Sequence, residues 1–342
     1  MTRPYEPVES PDETTVFAYH DLTPPTTRDV YRARRIVSRY LPRTPLVRSE
    51  GLSSAFDADV YLKREDALPT GAFKVRGGIT LVSSLDDEFL DPGLIAASTG
   101  NHGQSIAYAG REFGVPVTIL VPEDANPSKV EAMERLGAEV REYGRDFDEA
   151  RERAEALAAS EGFRYVHSAN EPSLVAGVGT AGLEVLEDLP DVDVVVCPVG
   201  GGSGAAGYCL TAGAVADADV IGVQSEAAPA AYRAWEGGHL RAGDSMETEA
   251  EGLATRVPFA LTQAVLGEGL DDFVLVSEAD IQEAIGKLIR EEAIVVEGAS
   301  AATVAALGDL HEAIRGRTVV LQLSGRNLDR EVLREVVGAT GP

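Results

Sequence analysis

Lysine is scarce in this chain. Lys63, Lys74, Lys129 and Lys287 are the only four among 30 Lys and Arg residues. Lys74 stands apart by context. It closes the run Tyr61-Leu-Lys-Arg-Glu-Asp-Ala-Leu-Pro-Thr-Gly-Ala-Phe-Lys74, in which Pro69-Thr70-Gly71 spells a tight turn and the residues beyond open a helix. A helix N-terminus carries partial positive charge, which disfavours an ammonium and favours the free amine. A free, positioned amine adds to carbonyl compounds as a Schiff base and also serves as a base. The competing interpretation is a solvated lysine at a helix start.

Three further loops place small or hydroxyl residues directly after an apolar run, where α/β proteins bind ligands. Ser98-Thr99-Gly100-Asn101-His102-Gly103 follows the run 94–97. Its backbone N–H groups suit a carboxylate at a helix N-terminus, or the loop is an ordinary N-cap. Gly200-Gly201-Gly202-Ser203-Gly204 follows the run 192–197. Contiguous glycines can nest N–H donors around a phosphate, or simply form a flexible turn. They lack the spacing and the early position of a dinucleotide fingerprint. Ser324-Gly325-Arg326-Asn327 follows the run 319–323 and reads alternatively as a strand cap. His102 fits a packing or hydrogen-bonding role behind its loop, since Lys74 already supplies a base.

Positioning these loops requires a scaffold. Apolar runs at 60–62, 94–97, 117–121, 192–197, 220–223, 273–276 and 319–323 alternate with amphipathic stretches at 104–113, 147–160, 281–292 and 299–310. A helix near 27–38 starts on Thr-Thr-Arg-Asp, and a last helical pattern covers 329–337. This alternation predicts an α/β fold with mainly parallel sheets flanked by helices. Residues 1–25 are polar and aperiodic and read as an N-terminal arm.

The 342 residues suffice for two core-bearing lobes, and 44% hydrophobic content excludes a disordered chain. No apolar run spans a bilayer, and the Met-Thr-Arg-Pro start is no secretory signal, so a cytoplasmic protein is expected. Cys197 and Cys209 are too few for a disulfide framework and read as buried free thiols. A formal net charge of −26 argues against nucleic-acid and anionic-membrane partners. Together with the missing lysines, it reads as adaptation to high salt.

The segment from Lys63-Arg64-Glu65-Asp66 through Pro69-Thr-Gly-Ala-Phe-Lys-Val-Arg-Gly77 resembles the cofactor-lysine motif of fold type II pyridoxal-phosphate enzymes. With the other three loops, the resemblance extends from about Thr44 to Asn327. It is closest to the threonine/serine dehydratase (ammonia-lyase) and serine racemase branch. It implies a two-lobed fold of the tryptophan synthase β type. The small substrate-loop domain would cover 87–168, and the large cofactor domain 26–86 with 169–342. It implies pyridoxal 5'-phosphate on Lys74 beside Phe73, its phosphate at Gly200, Gly201, Gly202, Ser203 and Gly204. Asn101 would contact its ring oxygen, and Ser324 its ring nitrogen. The substrate would lie at Ser98, Thr99, Gly100, Asn101 and His102. Thr99 stands where serine racemases carry a catalytic serine. Ser203 replaces the usual fourth glycine, and Arg326 replaces a small residue and could pair with Glu297 or an acidic substrate. Relatives with a divalent metal carry carboxylates where this chain has Gln224 and Ala230, so no metal site is expected. The implied reaction is β-elimination from L-threonine or L-serine, by a homodimer or larger oligomer without a C-terminal regulatory domain. Alternatives are a racemase, a hydroxyaspartate dehydratase or a threonine-synthase-like enzyme. Outside this fold stand a nicotinamide-dependent dehydrogenase and a non-catalytic amino-acid-binding protein.

The charge generates a first prediction. Concentrated salt screens repulsion among 56 Asp and Glu side chains. The melting temperature should therefore climb from dilute buffer to molar salt. A flat or falling curve in a salt-series melt rejects the salt explanation of the charge.

Overall fold

A computed structural model describes residues 22–243 and 246–339. Most of the expected arm lies outside the described residues, and residues 22–25 form no regular element. Among the described residues ten strands build two sheets. They are β1 (Leu46–Arg48), β2 (Asp59–Arg64), β3 (Leu94–Ala97), β4 (Val117–Val121), β5 (Glu139–Glu142), β6 (Arg164–Tyr165), β7 (Val194–Pro198), β8 (Asp219–Ser225), β9 (Asp272–Val276) and β10 (Thr318–Leu323). The larger sheet runs β1-β2-β10-β7-β8-β9, with only β1 antiparallel to its neighbour. The smaller sheet runs β5-β4-β3-β6 and is wholly parallel. This is the α/β fold with mainly parallel sheets that the alternation predicts.

Both sheets bury both faces, which explains why their strands read as continuous apolar runs. In β7, Val194 and Val196 enter one core while Val195 and Cys197 enter another. In β3, Leu94 and Ala96 face one core and Ile95 and Ala97 the opposite one. Cys197 and Cys209 are buried free thiols. The strands that the pattern misses are edges. β5 reads Glu-Val-Arg-Glu, with both glutamates exposed and Arg141 donating to Glu139 at 2.8 Å, charges that blunt an open edge.

The helix Thr27–Tyr40 starts where expected, because the Thr26 N–H and hydroxyl both donate to Asp29, at 2.9 and 2.7 Å. The stretch 299–310 is two helices, Gly298–Ala305 and Leu307–Ile314. Ala306 makes a tighter turn between them, while Leu307, Leu310 and Ile314 still reach the core of the first. An amphipathic pattern does not register so small a change of direction.

A buried ionic cluster lies beside the lysine segment. Arg76 donates to Glu65 at 2.7 and 2.9 Å, to Glu184 at 2.9 Å from each of two nitrogens, and to Thr44 and Thr180 at 3.2 Å. Lys63 donates to Glu184 at 2.8 Å and to the Thr44 carbonyl at 2.9 Å. Lys63, Glu65, Arg76 and Glu184 are all buried. Burial alone would raise the Glu184 pKa, but the hydrogen bonds and charge of Arg76, with the charge of Lys63, hold it down at about 2.

Arg76→Met should therefore cost roughly 3–5 kcal/mol in denaturant unfolding at neutral pH, because it strands the buried Glu65 carboxylate and leaves Glu184 with only Lys63 and Arg34. The Glu184 contribution exists above its ordinary value of 4.5 and fades as pH falls toward about 2. The gap between the variant and the unchanged protein should narrow across that window. A gap that is small at neutral pH, or constant with pH, contradicts the account.

Candidate active site

Loops at the C-terminal ends of β3, β7 and β10 line a cleft of about 730 Å³. Lys74 caps the helix Val75–Val82 rather than lying inside it. The turn before it is bolted to the Ser324 loop. The Phe73 N–H donates to the Ser324 carbonyl at 2.9 Å, and the Arg326 N–H to the Gly71 carbonyl at 2.9 Å. Asn327 Nδ2 donates to the Thr70 carbonyl at 3.0 Å. On the other side, the Ser105 hydroxyl donates to the Lys74 carbonyl at 2.7 Å. The lysine backbone is thus pinned from both sheets.

The Lys74 amine donates to Ser203 Oγ at 2.8 Å and to the Ser168 carbonyl at 3.2 Å. Burial lowers its pKa from 10.5 to about 8. The direction agrees with the expectation from the helix terminus, but the cause differs. Among the described residues no carboxylate pairs with the amine, and desolvation lowers its pKa.

The glycine loop needs its composition for two reasons. A Cβ on Gly200 would lie 2.2 Å from the Gly252 carbonyl oxygen, and Gly202 has φ +83°. Between them, Gly201 leaves bare backbone facing the cleft. Phe73 packs against Gly204, with a ring carbon 3.2 Å from where a Cβ would stand.

In the Ser98 loop, Ser98 Oγ accepts the N–H groups of Gly100 and Gly103 at 3.2 and 3.0 Å, shaping the start of the helix Asn101–Phe113. Thr99 and Gly100 are half-buried on the cleft wall. His102 is buried, with Nε2 3.2 Å from the Val166 carbonyl, and burial drives its pKa down to about 3. The ring is therefore neutral, and the residue also borders the cleft. In the fourth loop, Ser324 Oγ lies 3.2 Å from Ser300 Oγ, another neutral hydroxyl.

The cleft thus gathers Phe73, Lys74, Ser98 to His102, Gly200 to Gly204 and Ser324. Arg326 is outside this group. It is exposed, its side chain lies over Gly71, and Glu297 is buried behind Asn101 and Gly325. The pairing of Arg326 with Glu297 does not form.

Several lining residues escape sequence reasoning. Lys129 pairs with Glu251 and lies 3.4 Å from Asp329. Arg256 pairs with Asp148. His167 Nδ1 accepts the N–H groups of Ala169 and Asn170 at 3.0 and 2.9 Å, and burial lowers its pKa to about 4. Lysine scarcity offered the one usable signal, and for Lys129 it went unread.

Residues 37–325 match the family model for the pyridoxal-phosphate-dependent enzyme. The chain belongs to that family, in fold type II. It is 37% identical to the L-threonine ammonia-lyase of Thermotoga maritima over 91% of this chain and 78% of that one. Threonine deaminase isoform 2 from Solanum lycopersicum superposes with a TM-score of 0.87 at 30% identity, covering 93% of this chain and 91% of that chain. Serine racemase from Dictyostelium discoideum gives 0.84 at 30% identity, over 89% and 99%. The cleft fits pyridoxal phosphate chemically. A low-pKa amine is available for an aldehyde, bare glycine backbone for a phosphate, and an uncharged hydroxyl for a ring nitrogen.

In the cofactor-free protein, the Lys74 amine should lose its proton with a midpoint near pH 8, being charged below and nucleophilic above. Rates of amine acylation, mapped by peptide mass spectrometry across pH, report this. A midpoint above 10 at Lys74 would show that the amine is solvated.

Proposed function

We propose that this family member is an ammonia-lyase that dehydrates L-threonine or L-serine to a 2-oxo acid and ammonia. The carrying observation is the Lys74 amine, which faces a cleft with a side-chain-free glycine backbone and a neutral serine on its walls. The relatives named threonine ammonia-lyase and threonine deaminase support the substrate assignment.

In this proposal Lys74 Nζ would hold the cofactor beside Phe73, the backbone of Gly200 to Gly204 with Ser203 Oγ would take its phosphate, Asn101 would serve its ring oxygen and Ser324 its ring nitrogen. When bound, pyridoxal phosphate supplies an electron-withdrawing ring that acidifies the α-proton of an attached amino acid. Ser98, Thr99, Gly100, Asn101 and His102 carry the substrate carboxylate on the loop's N–H groups and hydroxyls. The free Lys74 amine would accept the α-proton, a task suited to a pKa of about 8. A neutral Ser324 would offer the ring nitrogen no carboxylate, a setting that would favour loss of a β-hydroxyl over transamination.

Charge in the cleft favours an uncharged substrate side chain. Lys129 is engaged by Glu251 and Asp329, Arg256 by Asp148, and Arg151 by Glu155 at 3.1 Å. A second carboxylate or a phosphate on the substrate finds no unpaired cation besides Lys74 among the described lining residues. This argues against a hydroxyaspartate dehydratase and a threonine-synthase-like enzyme. A racemase remains the second reading, because the Thr99 hydroxyl lines the cleft in the loop that would hold the substrate.

The two sheets support a division into a small domain at 87–168 and a large domain at 26–86 with 169–342. No helix among the described residues is long and apolar enough to cross a membrane. We place the protein in the cytoplasm of a salt-adapted cell as a homodimer or larger oligomer, with an amino acid as its small-molecule partner.

The test combines turnover with trapping. L-threonine or L-serine should yield 2-oxo acid and ammonia in equal amounts. Borohydride reduction of the holoenzyme should fix the pyridoxyl group on Lys74, and Lys74→Ala should lower turnover by at least about a thousandfold. A label on Lys63, Lys129 or Lys287 overturns the lysine assignment. D-serine formed from L-serine faster than ammonia selects the racemase.

A further inference from the structure

Glu297 is a buried carboxylate at the meeting point of three cleft loops. It precedes the helix Gly298–Ala305, and its N–H donates to the Gly325 carbonyl at 3.1 Å. Gly325 leaves it room, since a Cβ there would lie 2.6 Å from Glu297 Oε1. No Lys or Arg among the described residues lies within ion-pair distance of it. The side chain that holds it is Asn101, whose Nδ2 lies 2.9 and 3.0 Å from the two carboxylate oxygens. The other end of the same amide is also held, because Asn327 Nδ2 donates to Asn101 Oδ1 at 2.6 Å.

This arrangement has one consistent amide orientation. Turning the Asn101 amide over would set its oxygen against a carboxylate, acceptor to acceptor, and its NH₂ against the NH₂ of Asn327, donor to donor. The Asn101 nitrogen carries two hydrogens, and the carboxylate occupies one direction. The second N–H remains for the cleft, which Asn101 lines. A carboxylate enforces this choice in a way an amide does not, because it only accepts.

We propose that Glu297 is the positioning residue for Asn101: its carboxylate holds one amide N–H and, with Asn327, presents the other to the cofactor site. The proposal rests on the cofactor reading of the cleft. Glu297 borders the cleft as well, but the role proposed for it runs through Asn101. Burial raises its pKa, opposed first by the Asn101 hydrogen bond and then by one from the Asn327 backbone, so these contacts also limit the cost of burying the group.

The experiment is a double-mutant cycle read by pyridoxal phosphate affinity of the full chain, with a thermal melt of each variant as the control for folding. Asn101→Ala and Glu297→Ala should each weaken cofactor binding by roughly tenfold or more, as expected for a lost hydrogen bond with a charged partner. The double variant should bind like Asn101→Ala alone. Glu297→Gln, whose amide oxygen can still accept the Asn101 N–H but no longer enforces its orientation, should lose less affinity than Glu297→Ala. If Glu297→Ala does not fold, Glu297→Asp withdraws the carboxylate by one methylene and should show the same dependence on Asn101. A Glu297 defect that persists in full on the Asn101→Ala background overturns the proposal, as does a Glu297→Ala variant that binds the cofactor normally. If the unchanged protein binds the cofactor but carries no borohydride-fixed label on Lys74, the lysine assignment fails while the cycle still decides Glu297. If it binds no cofactor, the reading of the cleft and the proposal fall together.

Discussion

Arg76 is sealed from solvent two residues beyond Lys74, and a buried guanidinium is tolerable only with its countercharges in place. Glu65 comes from the segment after β2, and Glu184 from the helix Thr180–Asp188. Satisfying one cation therefore brings together the end of a large-sheet strand, the helix that Lys74 caps and a helix from far along the chain. Gly77 and Gly78 let that helix pack closely, since a Cβ on them would lie 2.9 Å from the Leu174 carbonyl oxygen and 2.7 Å from the Ser105 carbonyl oxygen. The position of the Lys74 amine follows from these contacts. Its low pKa follows in turn, because the packed surroundings leave the amine little water and no anion.

The cleft is closed by polar contacts rather than by core. The helix Pro127–Arg135 belongs to the small-sheet side and sends Lys129 to Glu251 and Asp329, while Asn126 Nδ2 donates to Asp329 at 2.8 Å. Asp148, on the helix Phe147–Glu161, meets Arg256. These pairs join the small-sheet side of the cleft to loops of the large-sheet side. Together with the Arg151–Glu155 pair they use up the other lining cations, leaving Lys74 as the unpaired one among the described lining residues. Partly exposed pairs of this kind weaken as salt rises, whereas the Arg76 cluster is screened much less. In a chain carrying −26, salt therefore relieves general repulsion while loosening the contacts that span the cleft.

Buried parallel strands and loop motifs were legible because their constraints are local. A strand covered on both faces must be apolar throughout, so β3, β4, β7 and β10 announced themselves. Edge strands carry no such requirement, and the charged β5 was missed. The lysine turn, the glycine run and the Ser324 loop were visible for a related reason: unusual backbone or bare N–H groups need particular residues in sequence order.

Tertiary structure decided what depends on partners distant in sequence. The depressed Lys74 pKa comes from burial, a property of the whole fold rather than of the helix start. Nothing in the order of residues links Glu297 to Asn101, Lys129 to Glu251, or Arg76 to Glu184, because ion pairs and side-chain amides obey distance and desolvation, not spacing along the chain. Arg326 shows the converse. Its place in a cleft motif suggested a role inside, but its side chain lies over Gly71 toward solvent. By itself the sequence determined the fold class and the loops that meet at the cleft. The orientation and charge of the groups within it were settled only when the two sheets came together and excluded water.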